Sequence, residues 1–260
     1  MENTHMKKNI LPAAFILAIG FIIAALIISG TWRKVAKGNV TISVTGSASK
    51  NIKSDLAIWD GTFYNESSSL TEAYTKLQES NKTVKNYLLS KGFADEQIKY
   101  SSITTTNLYE SKSGTTPTYD YYSSSGPKSQ SSGKIIGYRL SQQVSIESND
   151  VDKIDKLSRE ATELINQGIA INSDPPRFMY TKIAELKIEM IGLATQDAKL
   201  RAEQIANSTD NKVGEVRSSR TGVFQINSKN STEVSDYGIN DVSSLEKTVT
   251  AVVNVSFSIE

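Results

Sequence analysis

The chain has no cysteine among its 260 residues. Disulfides, thiolate catalysis, cysteine-type zinc sites and a lipid-modified N-terminal cysteine are therefore excluded together. Histidine is nearly as scarce, since His5 in the polar N-terminal tail is the only one. No Ser–His or Cys–His catalytic pair can form within one folded body, and histidine-rich metal sites go the same way. The formal net charge is only +1, so there is no strong basic field and nucleic acid is not an expected partner. No G-x-G-x-x-G, Walker A loop, H-E-x-x-H or EF-hand loop occurs. No catalytic residue, cofactor site or metal site is expected.

What is present begins with an apolar run. Lys7 and Lys8 precede an uncharged stretch over 10–30, followed by Trp32, Arg33 and Lys34. Its length is close to the ~20 residues that cross a bilayer as a helix. The run ends at Ser29-Gly30 without a clean cleavage site, and Trp32 suits an aromatic interface anchor. The expectation is an N-terminal transmembrane anchor over 10–30, after a cytoplasmic tail over 1–9 and before a linker over 31–38. A cleaved export signal is the competing reading. Lysine and arginine flank both ends, so charge alone does not set the orientation.

From 39 onward the pattern is that of an α+β body. Val40, Ile42, Val44, Gly46 and Ala48 alternate with polar residues as one strand, and Leu56–Tyr64 predicts a second. Leu70, Ala73, Leu77, Val84 and Leu88 recur at helical spacing, with a Ser69-x-x-Glu72 capping box and Gly92 as a stop. Strands are expected near Tyr100–Leu108 and over Ile136–Ile146, then a helix carrying Val151, Ile154, Leu157, Ala161 and Leu164 and ending at Gly168. Ile169–Ile171 begins another strand, bounded by Pro175-Pro176. Residues 110–133, rich in serine, tyrosine and glycine, break the pattern and offer a point of subdivision. There Tyr119, Tyr121 and Tyr122 form a candidate sticky patch; the plainer reading is a solvated surface loop.

The most informative stretch is Arg177–Asn207, a short strand feeding a long helix. Its first half offers Ile183, Leu186, Ile188, Met190, Ile191 and Leu193 as a wide apolar face. Its second half repeats alanine at 194, 198, 202 and 206. Such a row admits another backbone closely, either the protein's own sheet or a neighbouring subunit. Strands follow at Val213–Ser218 and Gly222–Ile226. The last strand alternates most cleanly, with Val249, Ala251, Val253, Val255, Phe257 and Ile259 on one face. The whole predicts largely antiparallel strands with about three packed helices.

Three constellations could carry chemistry, and each has a plainer reading. Ser47-x-x-Lys50 matches the pattern of serine acyl-transfer enzymes, but it ends a strand with a solvated Lys50 and lacks the partner motifs. Glu185 and Glu189 lie one helical turn apart, yet Lys182 and Lys187 beside them suggest a solvated face. Asp236 and Asp241 lack regular calcium-ligand spacing.

VTISVTGSAS, the Arg177–Asn207 stretch, GVFQI, STEVSDYGINDVSSLEK and TVTAVVNVSFSIE together resemble bacterial proteins of the SIMPL-domain family. That family has long been described as a domain of unknown function and includes a periplasmic immunogenic group. The resemblance covers 39–260. It implies an exported or membrane-anchored α+β protein that self-associates, with the 39–260 body on the extracytoplasmic side of the cytoplasmic membrane. It supplies no catalytic residues. The expected role is a non-enzymatic, homo-oligomeric scaffold or binding module of the cell envelope, with an envelope protein as a possible partner. Two rivals stand beside it: a sensor or carrier using the Tyr119–Tyr122 loop, and a hydrolase with a deep acid-lined pocket.

Overall fold

The computed structural model describes residues 15–29, 40–110 and 134–259. Helix α1 covers 15–29 and exposes Phe15, Phe21 and Leu26 among other large apolar side chains. Among the described residues, no helix is long and apolar enough to cross a membrane. The span expected over 10–30 is thus described only at 15–29, short of the ~20 residues a crossing needs. The tail over 1–9 and the linker over 31–38 lie outside the described residues, as does the loop over 111–133 with Tyr119, Tyr121 and Tyr122.

The body runs β1 (Thr41–Lys53), β2 (Leu56–Ser67), α2 (Leu70–Ser90), β3 (Ile98–Tyr100), β4 (Thr104–Tyr109) and β5 (Ile135–Ser148). It continues with α3 (Val151–Glu160), β6 (Ala170–Ser173), β7 (Arg177–Met179), α4 (Ile183–Asn207), β8 (Val213–Thr221), β9 (Gln225–Ser228), β10 (Ile239–Asn240) and β11 (Glu246–Ile259).

The strands form two sheets. Only Ser54 and Asp55 separate β1 from β2, yet these strands enter different sheets. In the first sheet β11 is central. It pairs antiparallel with β1 from Thr41↔Ser258 to Lys53↔Glu246, and its other edge is shared by β8 and β9. A short β10 adds to β9 in parallel. In the second sheet β2 is flanked by β5 on one side and by β6 and β7 on the other, and β3 and β4 extend it beyond β5.

Each sheet has its own helical layer and its own core. Strand β11 turns Val249, Ala251, Val253, Val255 and Phe257 to one face, where Leu186, Met190 and the alanines of α4 cover them. On the second sheet Trp59, Phe63, Val144 and Ile146 pack against Leu77, Val84 and Leu88 of α2 and Ile154 and Leu157 of α3. Burying side chains of this size contributes roughly 1.5–3 kcal/mol each. Trp59 Nε1 donates to Ser173 Oγ at 2.9 Å, and that hydroxyl donates to the Ser158 carbonyl at 2.6 Å. The buried indole is thereby satisfied while β2, β6 and α3 are tied together.

Several local expectations change in the folded chain. The capping box at Ser69 does not form; Glu72 instead accepts from Ser67 Oγ at 2.6 Å and pairs with Lys76. Gly92 does end α2, in the left-handed region at φ 81°. The helix expected to reach Gly168 is α-helical only to Glu160 and tightens to a 3₁₀ turn over Ala161–Gln167. Three residues per turn keep Ala161 and Leu164 eclipsed on the buried side. The strand expected near Tyr100–Leu108 divides into β3 and β4.

In α4 the apolar face is narrower than its composition suggests. Leu186 and Met190 are buried, whereas Ile188 is 73% exposed and Leu193 42% exposed. The alanine row faces the protein's own first sheet. A Cβ at Gly46 of β1 would overlap the Ala194 carbonyl oxygen and the Ala198 amide nitrogen, and would lie 2.7 Å from Ala198 Cβ.

Candidate functional site

The two sheets meet where three segments are stitched by backbone hydrogen bonds. Ser54 N donates to the Leu245 carbonyl, Asp55 N to Met179 and Phe178 N to Val242, at 2.9, 3.0 and 2.7 Å. Asp55 reinforces the joint through both carboxylate oxygens. They accept from the Thr181 amide and the Thr181 hydroxyl, each at 2.7 Å. Burial opposes ionisation of Asp55, but these hydrogen bonds outweigh it and hold the carboxyl below the usual aspartate value.

Beside this joint lies a cavity of about 590 Å³, within the range of small-molecule sites. Leu56 and Phe178 come from the second sheet, Ile226, Ile239 and Lys247 from the first, and Ile183 and Lys187 from the start of α4. Val223, Phe224 and Tyr237 form the outer wall. That wall is pinned by two buried amides: Gln225 Nε2 donates to the Ser235 carbonyl at 2.7 Å and Asn227 Nδ2 to the Glu233 carbonyl at 2.6 Å. Gly238 turns the wall at φ 83°, with room for no Cβ because the Phe224 carbonyl oxygen would lie 2.8 Å away.

The cavity's most unusual lining residue is Lys247, which is only 2% exposed. A buried ammonium is costly unless it is hydrogen-bonded. Its Nζ donates to the Phe178 carbonyl at 2.6 Å and to the Asp241 carbonyl. Burial lowers the Lys247 pKa, opposed by the attraction of Asp241. Burial resists ionisation of Asp241, but hydrogen bonds from Ser243 hold it below the usual aspartate value. Its Oδ1 accepts from the Ser243 amide and hydroxyl, while Oδ2 is buried without a partner. The second lysine, Lys187, places Nζ 5.4 Å from the centre of the Phe224 ring. None of the described residues lining this cavity is acidic.

A second hollow of about 380 Å³ is polar and includes Glu96, Glu147 and Asp150. These side chains are solvated. Glu147 lies 4.0 Å from Lys99, and Asp150 caps α3 by accepting from the Lys153 amide at 3.1 Å.

The residues weighed from sequence do not converge. Ser47 and Lys50 lie within β1 rather than at its end; the Ser47 amide donates to Asp197 Oδ2 at 2.8 Å, and Lys50 pairs with Glu189 at 2.6 Å. Glu189 therefore ties α4 to β1, instead of forming a pair with Glu185. Asp236 is exposed in the wall loop, while Asp241 turns its Oδ1 to the Ser243 amide. Among the described residues, no group of three or more acidic or histidine side chains could hold a metal ion. No motif marks Lys247; its sequence signal is parity, since it occupies the same face of β11 as Val249, Ala251 and Val253.

The architecture thus defines a two-sheet α+β domain with an apolar, lysine-bearing cavity at the junction. Residues 42–257 match the SIMPL family, described as a protein of unknown function (DUF541). The chain belongs to that family. A comparison with curated proteins gave no match.

Proposed function

We propose that this chain is a membrane-tethered, non-catalytic binding module of the cell envelope. It is held at the cytoplasmic membrane by one N-terminal pass, with the 39–260 body on the extracytoplasmic side. The observation that carries the binding reading is the cavity at the sheet junction, with its apolar lining, buried Lys247 and pinned outer wall. Concave, mostly apolar sites with a few placed polar groups are where small ligands bind. The absence of acidic groups from the described lining favours binding over hydrolysis.

The tether is supported by the uncharged run over 10–30 and by the exposed apolar side chains of α1, which suit lipid better than water. Self-association rests on the family resemblance alone, because the alanine row of α4 is occupied by β1.

Two measurements test the reading. Alkaline extraction should leave the full chain in the membrane pellet, and protease added to spheroplasts should remove the body. Release by alkali, or protection from protease, contradicts the tether or its orientation. A thermal-shift screen of small amphiphiles on the full chain should raise the transition for a subset of them; no shift across the screen contradicts the binding reading.

A further inference from the structure

The cavity's charge is one-sided. Lys247 and Lys187 line it, and none of the described lining residues is acidic. The compensating group, Asp241, is not among the lining residues, and its Oδ1 is committed to Ser243. An ammonium carries three N–H donors, and Lys247 spends two of them on the Phe178 and Asp241 carbonyls. One donor remains, on a side chain that lines a mostly apolar space. Lys187 makes no ion pair among the described residues; its ammonium rests over the Phe224 ring.

We infer that the cavity binds an amphiphilic monocarboxylate, with its apolar body among Phe178, Ile183, Phe224 and Ile226 and its carboxylate at Lys247 and Lys187. This inference rests on the binding-module reading and names its ligand class. A carboxylate accepts the spare N–H of Lys247 in a charge-assisted hydrogen bond, the stronger kind in a desolvated place. Its single charge balances a buried cation that has no ion-pair partner inside the cavity. A cationic head would stand against both lysines. A neutral head would give the spare N–H of Lys247 no charged acceptor, and a phosphate dianion would bring more charge into the apolar space than one spare buried donor receives.

The test uses the full chain in lipid nanodiscs and titration calorimetry near neutral pH, with empty nanodiscs subtracted. The probes are octanoate, 1-octanol and octyltrimethylammonium, which share a tail and differ in head charge. Octanoate should bind saturably, at least about tenfold more tightly than either of the others. Lys187→Gln should weaken octanoate by about tenfold and leave octanol unchanged. Lys187 lies on the cavity wall and is not buried like Lys247, so this variant tests the charge without removing a core contact.

Equal or tighter binding of the cationic or neutral probe overturns the carboxylate assignment and leaves the binding-module reading standing. Octanoate binding that Lys187→Gln does not change overturns the placement of the head group. Failure of octanoate to bind overturns the inference; the binding-module reading falls only if the wider amphiphile screen is also blank.

Discussion

Gly46 of β1 lies directly against the backbone of α4 at Ala198, and neither residue can grow without moving the other. The Ala198 amide and the Ala194 carbonyl occupy the space where a side chain at 46 would stand. The alanine row and the strand glycine are therefore two halves of one close contact, which sets how near the helix comes to the first sheet.

Gly46→Ala should destabilise the protein by about 3 kcal/mol, because the obstruction is backbone on both sides. Gly192 is also in α4, but a Cβ there meets nothing within 4 Å. Gly192→Ala should stabilise the helix by about 1 kcal/mol. Denaturant unfolding of the two variants checks the pair, and similar effects of the same sign would contradict the contact.

This contact shows how far the sequence could be read. Alanine at every fourth position announces a close approach, and strand parity announces the buried faces of β1 and β11. Which surface approached was not legible, because β1 and α4 are far apart in sequence and the choice depends on non-local pairing. The same holds for the two-sheet division and for the cavity, whose walls come from Leu56, Phe178, Phe224 and Lys247. The parity of Lys247 was legible, but the two carbonyls that receive it belong to distant segments.

Lys247 makes stability depend on alkaline pH. Burial lowers its folded-state pKa below the unfolded value near ~10.4. Between those values the unfolded chain binds more protons, so stability should rise as pH rises through that window. Tyr100 acts in the opposite sense above about pH 10, its hydroxyl being pushed up to about 12 by burial. The rise should therefore be read below pH 10. Lys247→Met should lose the rise and cost about 1 kcal/mol near neutrality, since it leaves the Phe178 and Asp241 carbonyls unpaired. A variant that keeps the full rise would contradict the role given to Lys247.

Asp55 governs the acid side of the joint. Its folded-state pKa is held down, so its contribution is present above the unfolded value near ~3.9 and is lost as pH falls through the folded value. Asp55→Asn should lower stability at neutral pH and flatten the loss below pH ~4. Chemical denaturation at stepped pH checks both. An unchanged acid limb would show that other carboxylates dominate it.

Gly238 shapes the outer wall of the cavity through its positive φ and its proximity to the Phe224 carbonyl. Gly238→Ala should cost about 1–3 kcal/mol through strain at this turn. It should also weaken amphiphile binding while the far core around Trp59 keeps its protection from hydrogen exchange. Equal loss of protection around Trp59 and at the wall would contradict a local effect.

Ligand binding at the sheet junction is tested most directly by methyl NMR of the full chain. Labelled Met179, Ile183, Ile226 and Ile239 line the cavity, while Ile146 and Ile154 report on the core of the second sheet. On titration with a ligand from the amphiphile screen, the first set should shift saturably and the second should stay fixed. Shifts confined to Ile146 and Ile154, or no saturable shift at any of the four cavity methyls, would contradict it.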